Sequence, residues 1–363
     1  MKLKTLTLFL VLCLVLSGCY SWMDGSYSSS VLHHTSHNQA SEEACVVQDE
    51  SELQQVLSER VEKGAENVLI NVAKLEVDTI DQIMEQAISH VQETNPFGAY
   101  AVESIGYEMG TSGGQPALAV TIHYNQNHGA LRNMTKAQGM EDASKCLEAA
   151  LEQCDTKLVI YVEDYSSMDF QDYVRKFMED NPHTVMELPS LTVSTFPDSG
   201  TSRVVEIGFA YQTGREALRI MQSRVGPLFT SAELYLVGNT TQYDQYEMLY
   251  AFLMERHDYQ LEASITPSYS LLIHGVGNSK AFAVVYGAMC RRVGLECLLI
   301  SGTYNGESRF WNMICVDGGY YHLDLVSSYG TFALMGDDEM SGYVWDYSAY
   351  PQCEPYSVAP MAE

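Results

Sequence analysis

The stretch "IHGVGNSKAFAVVYGAMCRRVGLECLLISG", Ile273 to Gly302, runs from a Gly-rich turn into a helix and then into a strand. Ser279 opens that helix. A serine hydroxyl is a weak nucleophile unless a base takes its proton. His274, five residues earlier, is an imidazole close enough in sequence to be considered for that task. Other groups have poorer settings for chemistry. Asp337, Asp338 and Glu339 offer the oxygens calcium prefers, but a solvated acidic turn is the simpler reading. His33, His34 and His37 sit among Ser and Tyr residues, where nothing fixes a metal geometry, so a solvated linker is preferred. No CxxC or Cys/His spacing suggests zinc. No metal and no cofactor is expected.

The elements around this stretch must hold it in place. Before it lies an internal repeat. "ELQQVLSERVEKGAENVLINVA" from Glu52 parallels "DASKCLEAALEQCDTKLVIYVE" from Asp142, with Leu57 matching Leu147 and Ile70 matching Ile160. Further on, Tyr124 matches Tyr211 and Gly139 matches Gly226. Each copy reads helix, strand, helix, strand, strand. "VLINV" and "LVIYV" are short β-branched runs suited to buried strands. The second helices of both copies stop at Asn-Pro. Hairpins around Gly and Pro follow. Two such units could share one mixed sheet with helices against it. The copies share apolar and Tyr positions but no acid, base or nucleophile, so packing is their default role.

The N-terminus carries a targeting pattern. Lys2 and Lys4 precede an apolar run from Leu6 to Leu16, too short for a mature membrane span. It ends in Leu16-Ser17-Gly18-Cys19, which resembles the lipobox of bacterial lipoproteins. That resemblance implies that Cys19 carries lipid and anchors the chain to the outer face of a bacterial membrane. The formal charge of −27 repels nucleic acid and anionic headgroups and suits a soluble body on a tether. Cys146 and Cys154, eight apart on one helix, would lie about 12 Å apart along its axis, too far for a disulfide while both stay helical. Cys290, Cys297 and Cys315 fall in apolar patterns and read as buried small hydrophobes.

From Gly226 to Pro355 the chain resembles the transglutaminase-like superfamily of papain-fold cysteine proteins. The order agrees: a helix from Asp244, an apolar segment, the Gly-rich turn, a core helix ending near Gly294, a strand ending Ser301-Gly302, an aromatic-Trp-Asn strand, and "YYHLDL". The tail "GDDEM" with its later Trp and Cys is similar to bacterial members. The family site pairs a Cys at the helix N-terminus with a His that moves the proton and an Asp that orients the His. By that resemblance the Cys position falls on Ser279, the His position on Arg309 and the Asp position on Asp324. A hydroxyl is far less acidic than a thiol, which titrates near 8.5, about the free cysteine value. Arg309 cannot act as a base, because guanidinium stays protonated. The resemblance therefore implies an Arg309–Asp324 salt bridge where the catalytic pair would sit. His322 is common in the family beside its catalytic His and reads as structural.

The fold class that follows is α+β. Two duplicated helix-strand-helix-strand-strand units precede a transglutaminase-like α+β domain with a core helix against an antiparallel sheet. The divisions are a lipoprotein signal peptide at residues 1–18, a flexible tether at 19–48, repeat units at 49–138 and 139–225, and the transglutaminase-like domain at 226–356. The expected function is that of a membrane-tethered extracytoplasmic lipoprotein with a degenerate site. It would bind a peptide, protein or cell-wall component, and no nucleic acid. Ser279, Lys280, Arg309, Trp311 and Asp324 would line the old cleft. Two other readings stand beside it: an acyl-transfer or hydrolytic enzyme using Ser279 with a base such as His274, and a purely structural surface protein. The tether makes a direct prediction. Cys19→Ala should block lipid attachment and release the protein from the membrane fraction, and unchanged detergent partitioning of that variant would sink the idea.

Overall fold

The computed structural model describes residues 44–236, 238, 241–327 and 331–356. Cys19, His33, His34 and His37 lie outside the described residues, as do the signal segment and most of the tether. The folded part starts earlier than residue 49. Cys45–Val46 is already a strand, β1, and Val47 is fully buried.

Leu53, Leu57 and Val61 recur at helical spacing and give α1 (Glu50–Glu62) one apolar stripe. Asp49 caps it by accepting the Glu52 N–H at 2.9 Å. β2 (Asn67–Asn71) follows, then α2 (Ile80–Glu93), which buries Ile80, Met84, Ala87 and Val91. Asn-Pro ends that helix and starts the next. Asn95 caps the short α3 (Pro96–Ala101), with Pro in its first turn, where a missing N–H goes unnoticed. The hairpin β3 (Val102–Ser112) and β4 (Gln115–Tyr124) completes the unit, and α4 (His128–Arg132) leads out of it.

The second unit runs β5 (Thr135–Gly139), α5 (Met140–Glu152), β6 (Lys157–Asp164), α6 (Phe170–Asp180), β7 (Ser190–Phe196) and β8 (Arg203–Ala210). Its sheet order is β5-β6-β8-β7, and that of the first unit is β1-β2-β4-β3. In both, the short leading strand is parallel to the next and the other pairings are antiparallel. Ile70 stands opposite Cys45 and Leu118, and Ile160 stands opposite Thr135 and Val205. The leading strands were missed in the sequence because short edge strands show little apolar pattern. The units also form two separate sheets instead of one mixed sheet. They interlock through α3: Phe97 stacks on Tyr161 at 4.9 Å, and the Tyr100 hydroxyl donates to Glu206 at 2.9 Å. The division at 138/139 cuts β5, and that at 225/226 falls inside one continuous helix, α7 (Arg215–Tyr235).

The C-terminal part begins with α8 (Gln242–Met254), β9 (Asp258–Tyr259), α9 (Pro267–His274) and β10 (Val276–Gly277). Gly275, at φ +79°, ends α9 in the left-handed conformation that a side chain disfavours. The core helix α10 (Ser279–Arg292) then packs on an antiparallel sheet of β11 (Cys297–Tyr304), β12 (Glu307–Val316), β13 (Gly319–Leu323) and β14 (Tyr343–Val344), in the order β13-β12-β11-β14. Asn312 ties helix to sheet, its Nδ2 donating to the Ala283 carbonyl at 2.9 Å. The Tyr286 hydroxyl donates to the Tyr246 carbonyl at 2.9 Å, and that of Tyr246 to the Glu296 carbonyl at 2.6 Å. Both rings are fully buried, so these bonds satisfy groups that water does not reach. Gly302 is required where β14 crosses, because a Cβ there would lie 2.2 Å from the Val344 carbonyl oxygen.

The described cysteines are free. Cys290 and Cys297 are buried, whereas Cys315, read with them, is only half-buried. Among the described residues no helix is long and apolar enough to cross a membrane.

Candidate functional site

Asn278 caps α10 by accepting the Ala281 N–H at 3.0 Å, which makes Ser279 the first helical residue. The Ser279 hydroxyl turns toward the sheet and accepts the Phe310 N–H at 3.3 Å. Arg309 lies beside Phe310 on β12, and Asp324 directly follows β13. Arg309 donates from Nε and Nη2 to the two Asp324 oxygens at 2.8 and 3.1 Å, a bidentate pair. Asp324 is fully buried and Arg309 nearly so.

The surroundings complete the pair. The Tyr343 hydroxyl donates to Asp324 at 2.7 Å, and the Val326 and Ser327 N–H groups donate at 3.0 and 3.2 Å. The guanidinium lies 5.8 Å from the ring centres of Tyr259 and Tyr304. Burial works against the Arg309 charge, but the bonds and charge of Asp324 more than reverse this, and its pKa rises above the ordinary arginine value. Burial, and then the bond to Asp324, also raise the Tyr343 hydroxyl. Arg309 itself cannot take a proton from Ser279, because a guanidinium that holds its charge more firmly than usual is the opposite of a base.

Trp311, expected to line the cleft, lies in the interior of the domain. It is fully buried, on the same face of β12 as Arg309, against Tyr343 and Trp345. Its Nε1–H donates to His322 Nδ1 at 3.1 Å, and His322 Nε2 lies 2.9 Å from an Asp337 oxygen. Indole only donates, so Nδ1 carries the lone pair and Nε2 the proton, which Asp337 accepts. Asp337 is therefore a structural partner of His322, at the start of a turn in which Asp338 and Glu339 are exposed. Its neighbour Glu339 caps the Gly336 N–H at 2.9 Å. Cys353 joins the cluster, with one ligand atom from each of His322, Asp337 and Cys353 lying within 4.8 Å of the others. That donor set has metal-binding chemistry, yet the tautomer opposes it. A metal on Nε2 would leave Nδ1 facing the Trp311 donor with no proton on the ring. The Cys353 thiol is pushed up to about 12, first by burial and then by Asp337.

Lys280 and His274 are placed differently from the rest. Lys280 leaves the triad region and pairs with Glu179 of α6 at 2.7 Å. His274 is exposed and lies edge-on to Tyr269, ring centres 5.2 Å apart. Tyr343, Trp345 and Glu179 escaped the sequence reading. The first two follow an irregular segment, and Glu179 belongs to another unit, so no spacing links them to Arg309 or Lys280.

Residues 231–325 match the family model described as the transglutaminase-like superfamily, and this part of the chain is a transglutaminase-like domain. Loose likenesses to solved structures accompany the match. A transglutaminase crystal structure is 10% identical over 66% of this chain and 69% of its own, with a TM-score of 0.27. A Cytophaga hutchinsonii protein named as a candidate cysteine protease is 12% identical over 43% of this chain and 70% of its own, with a TM-score of 0.25. A Parabacteroides distasonis protein named as a candidate protease is 8% identical over 66% of this chain and 61% of its own, at 0.23. A search of curated proteins gave no match.

Two outcomes are expected. Arg309→Ala strands a buried carboxylate and should destabilise the protein by about 3 kcal/mol. Arg309→Met combined with Asp324→Asn removes both charges and should recover part of that loss in urea unfolding. A single variant as stable as the wild type would refute the pairing. The second outcome concerns His322, whose pKa burial lowers, with Asp337 opposing in part. A folded value below the unfolded value of about 6.5 means that this stability is fully present above that pH. It is lost as pH falls below that value and through the lower folded one. Stability measured from pH 7 to pH 5 should therefore decline, and His322→Gln should flatten the decline.

Proposed function

We propose that the chain is an extracytoplasmic protein tethered to a bacterial membrane through Cys19. Its transglutaminase-like domain no longer performs acyl transfer and serves in binding, with a peptide, protein or cell-wall component as the class of ligand. The observation that carries the loss of catalysis is the bidentate Arg309–Asp324 pair. The resemblance assigns those positions to the proton-moving His and its orienting Asp. A permanently charged Arg cannot cycle a proton, and loss of a general base alone lowers rates by about 10²–10⁴-fold.

The binding surface does not lie at the triad positions, since Ser279, Arg309, Trp311 and Asp324 are all buried. That closure gives some support to a purely structural role. For the enzyme reading, Ser279 would need His274, whose ring instead packs on Tyr269.

The wild type and Ser279→Ala should both stay at background when incorporation of a fluorescent primary amine into a glutamine-containing peptide is measured. Ser279→Cys with Arg309→His should gain a thiol that reacts with iodoacetamide faster than a free cysteine at neutral pH. An adduct on wild-type Ser279 from an acylating probe, lost in His274→Ala, would overturn the proposal in favour of an enzyme.

A further inference from the structure

The structure assigns a second site to the cavity between the second α/β unit and the outer face of α10. We propose that it binds a small uncharged molecule with an aromatic or branched apolar body and one hydrogen-bonding group. The inference holds whether or not Ser279 is silent, because Ser279 turns to the sheet while Lys280 turns to α6.

The cavity has a volume of about 260 Å³. Met178, Pro182, Leu188, Ile265, Val284 and Val285 give it mainly apolar walls. An apolar cavity of about 150 Å³ is known to take benzene, so this one has room for a substituted ring. Ile265 is 51% exposed although apolar, and it stands in this wall.

The polar lining decides the charge and the head group. Glu187 is buried, and its two oxygens accept N–H groups from Gln212 and Thr213. Lys280 and Arg175 both pair with Glu179. The charged side chains of the wall thus neutralise one another, and a charged ligand would have to break these pairs. Ser268 is different. It is 2% exposed, it stands in the wall, and its Oγ has no hydrogen-bond partner. A buried hydroxyl without a protein partner is destabilising, and turning about χ1 to meet a ligand hydroxyl or amide at this wall would relieve that. The site needs the preceding unit as much as the transglutaminase-like domain, since α6 and the segment after it form one side of it.

The test is titration of the full chain with p-cresol and with toluene, followed by NMR. Saturable binding is expected, with Kd of order 1 mM or lower for p-cresol. Toluene should bind about three- to tenfold more weakly, the value of one hydrogen bond. Ser268→Ala should bring the two affinities together without lowering Tm, because it removes a group that has no partner. Val284→Trp, and separately Ser264→Trp, should fill the cavity and abolish binding of both compounds while the far-UV spectrum stays unchanged. Absence of saturable binding would overturn the proposal. So would binding that survives both filling variants, or a Ser268→Ala variant that still prefers p-cresol.

Discussion

The Arg309 guanidinium and the Asp324 carboxylate meet where water hardly reaches, and neither ion could stay there alone. Removing each from water carries a penalty of several kcal/mol, and the geometry offsets it only when the remaining donors are also satisfied. Asp324 meets that condition through Tyr343 and two backbone N–H groups. The constraint fixes more than one pair of side chains. A slip of β12 by one residue would turn Arg309 to the opposite face, and Trp311 with it. The pair therefore locks the register of β12 against β13, and through Tyr343 it recruits β14. Trp311 and His322 repeat the logic one step along the same face, with hydrogen bonds in place of charges.

The helix N-terminus adds a second electrostatic demand. The start of α10 presents the positive end of its dipole, and Lys280 and Arg309 bring two more positive charges to it. Such an arrangement would repel itself without anions close by. Asp324 answers Arg309 from within the domain, and Glu179 answers Lys280 from the second α/β unit. Arg291, in the last turn of the same helix, reaches Asp180 and the carbonyls of Glu179 and Asp180. The C-terminal end of α6 is thus held along the length of α10. The second α/β unit is part of the electrostatic environment of the core helix and not a detached module.

What the sequence made legible follows from the range of the forces involved. The helices with apolar residues at spacing four, the Asn-Pro stops and the Gly-rich turns were readable because they depend on neighbours in sequence. Ser279 at the head of a helix belongs to the same class. Strands β1 and β5 were not readable, since edge segments of two and five residues are specified by the partner strand. The burial of Trp311 was missed for a related reason. A Trp in an aromatic-Trp-Asn strand looks available to a ligand until Tyr343 and Trp345 return over it from a segment without periodic pattern. Asp337 looked like a solvated acid because nothing in its own turn announces His322. In each case the deciding contact comes from a distant part of the chain.

An imidazole beside a buried carboxylate can hold or release its proton near neutral pH, and a catalytic base must have that freedom. A guanidinium in the same place gives the carboxylate a partner that stays charged at any ordinary pH and donates through a planar fork. On the proposed reading such an exchange removes proton transfer but leaves the strands and the helix where the chemistry would have needed them. It also makes the centre of the domain indifferent to mild acid at Arg309, so that the acid sensitivity moves to His322. Under that proposal, rigid geometry without proton cycling would be of no use to an acyl-transfer reaction, but it would suit a body whose task is to keep a surface or a cavity in one shape.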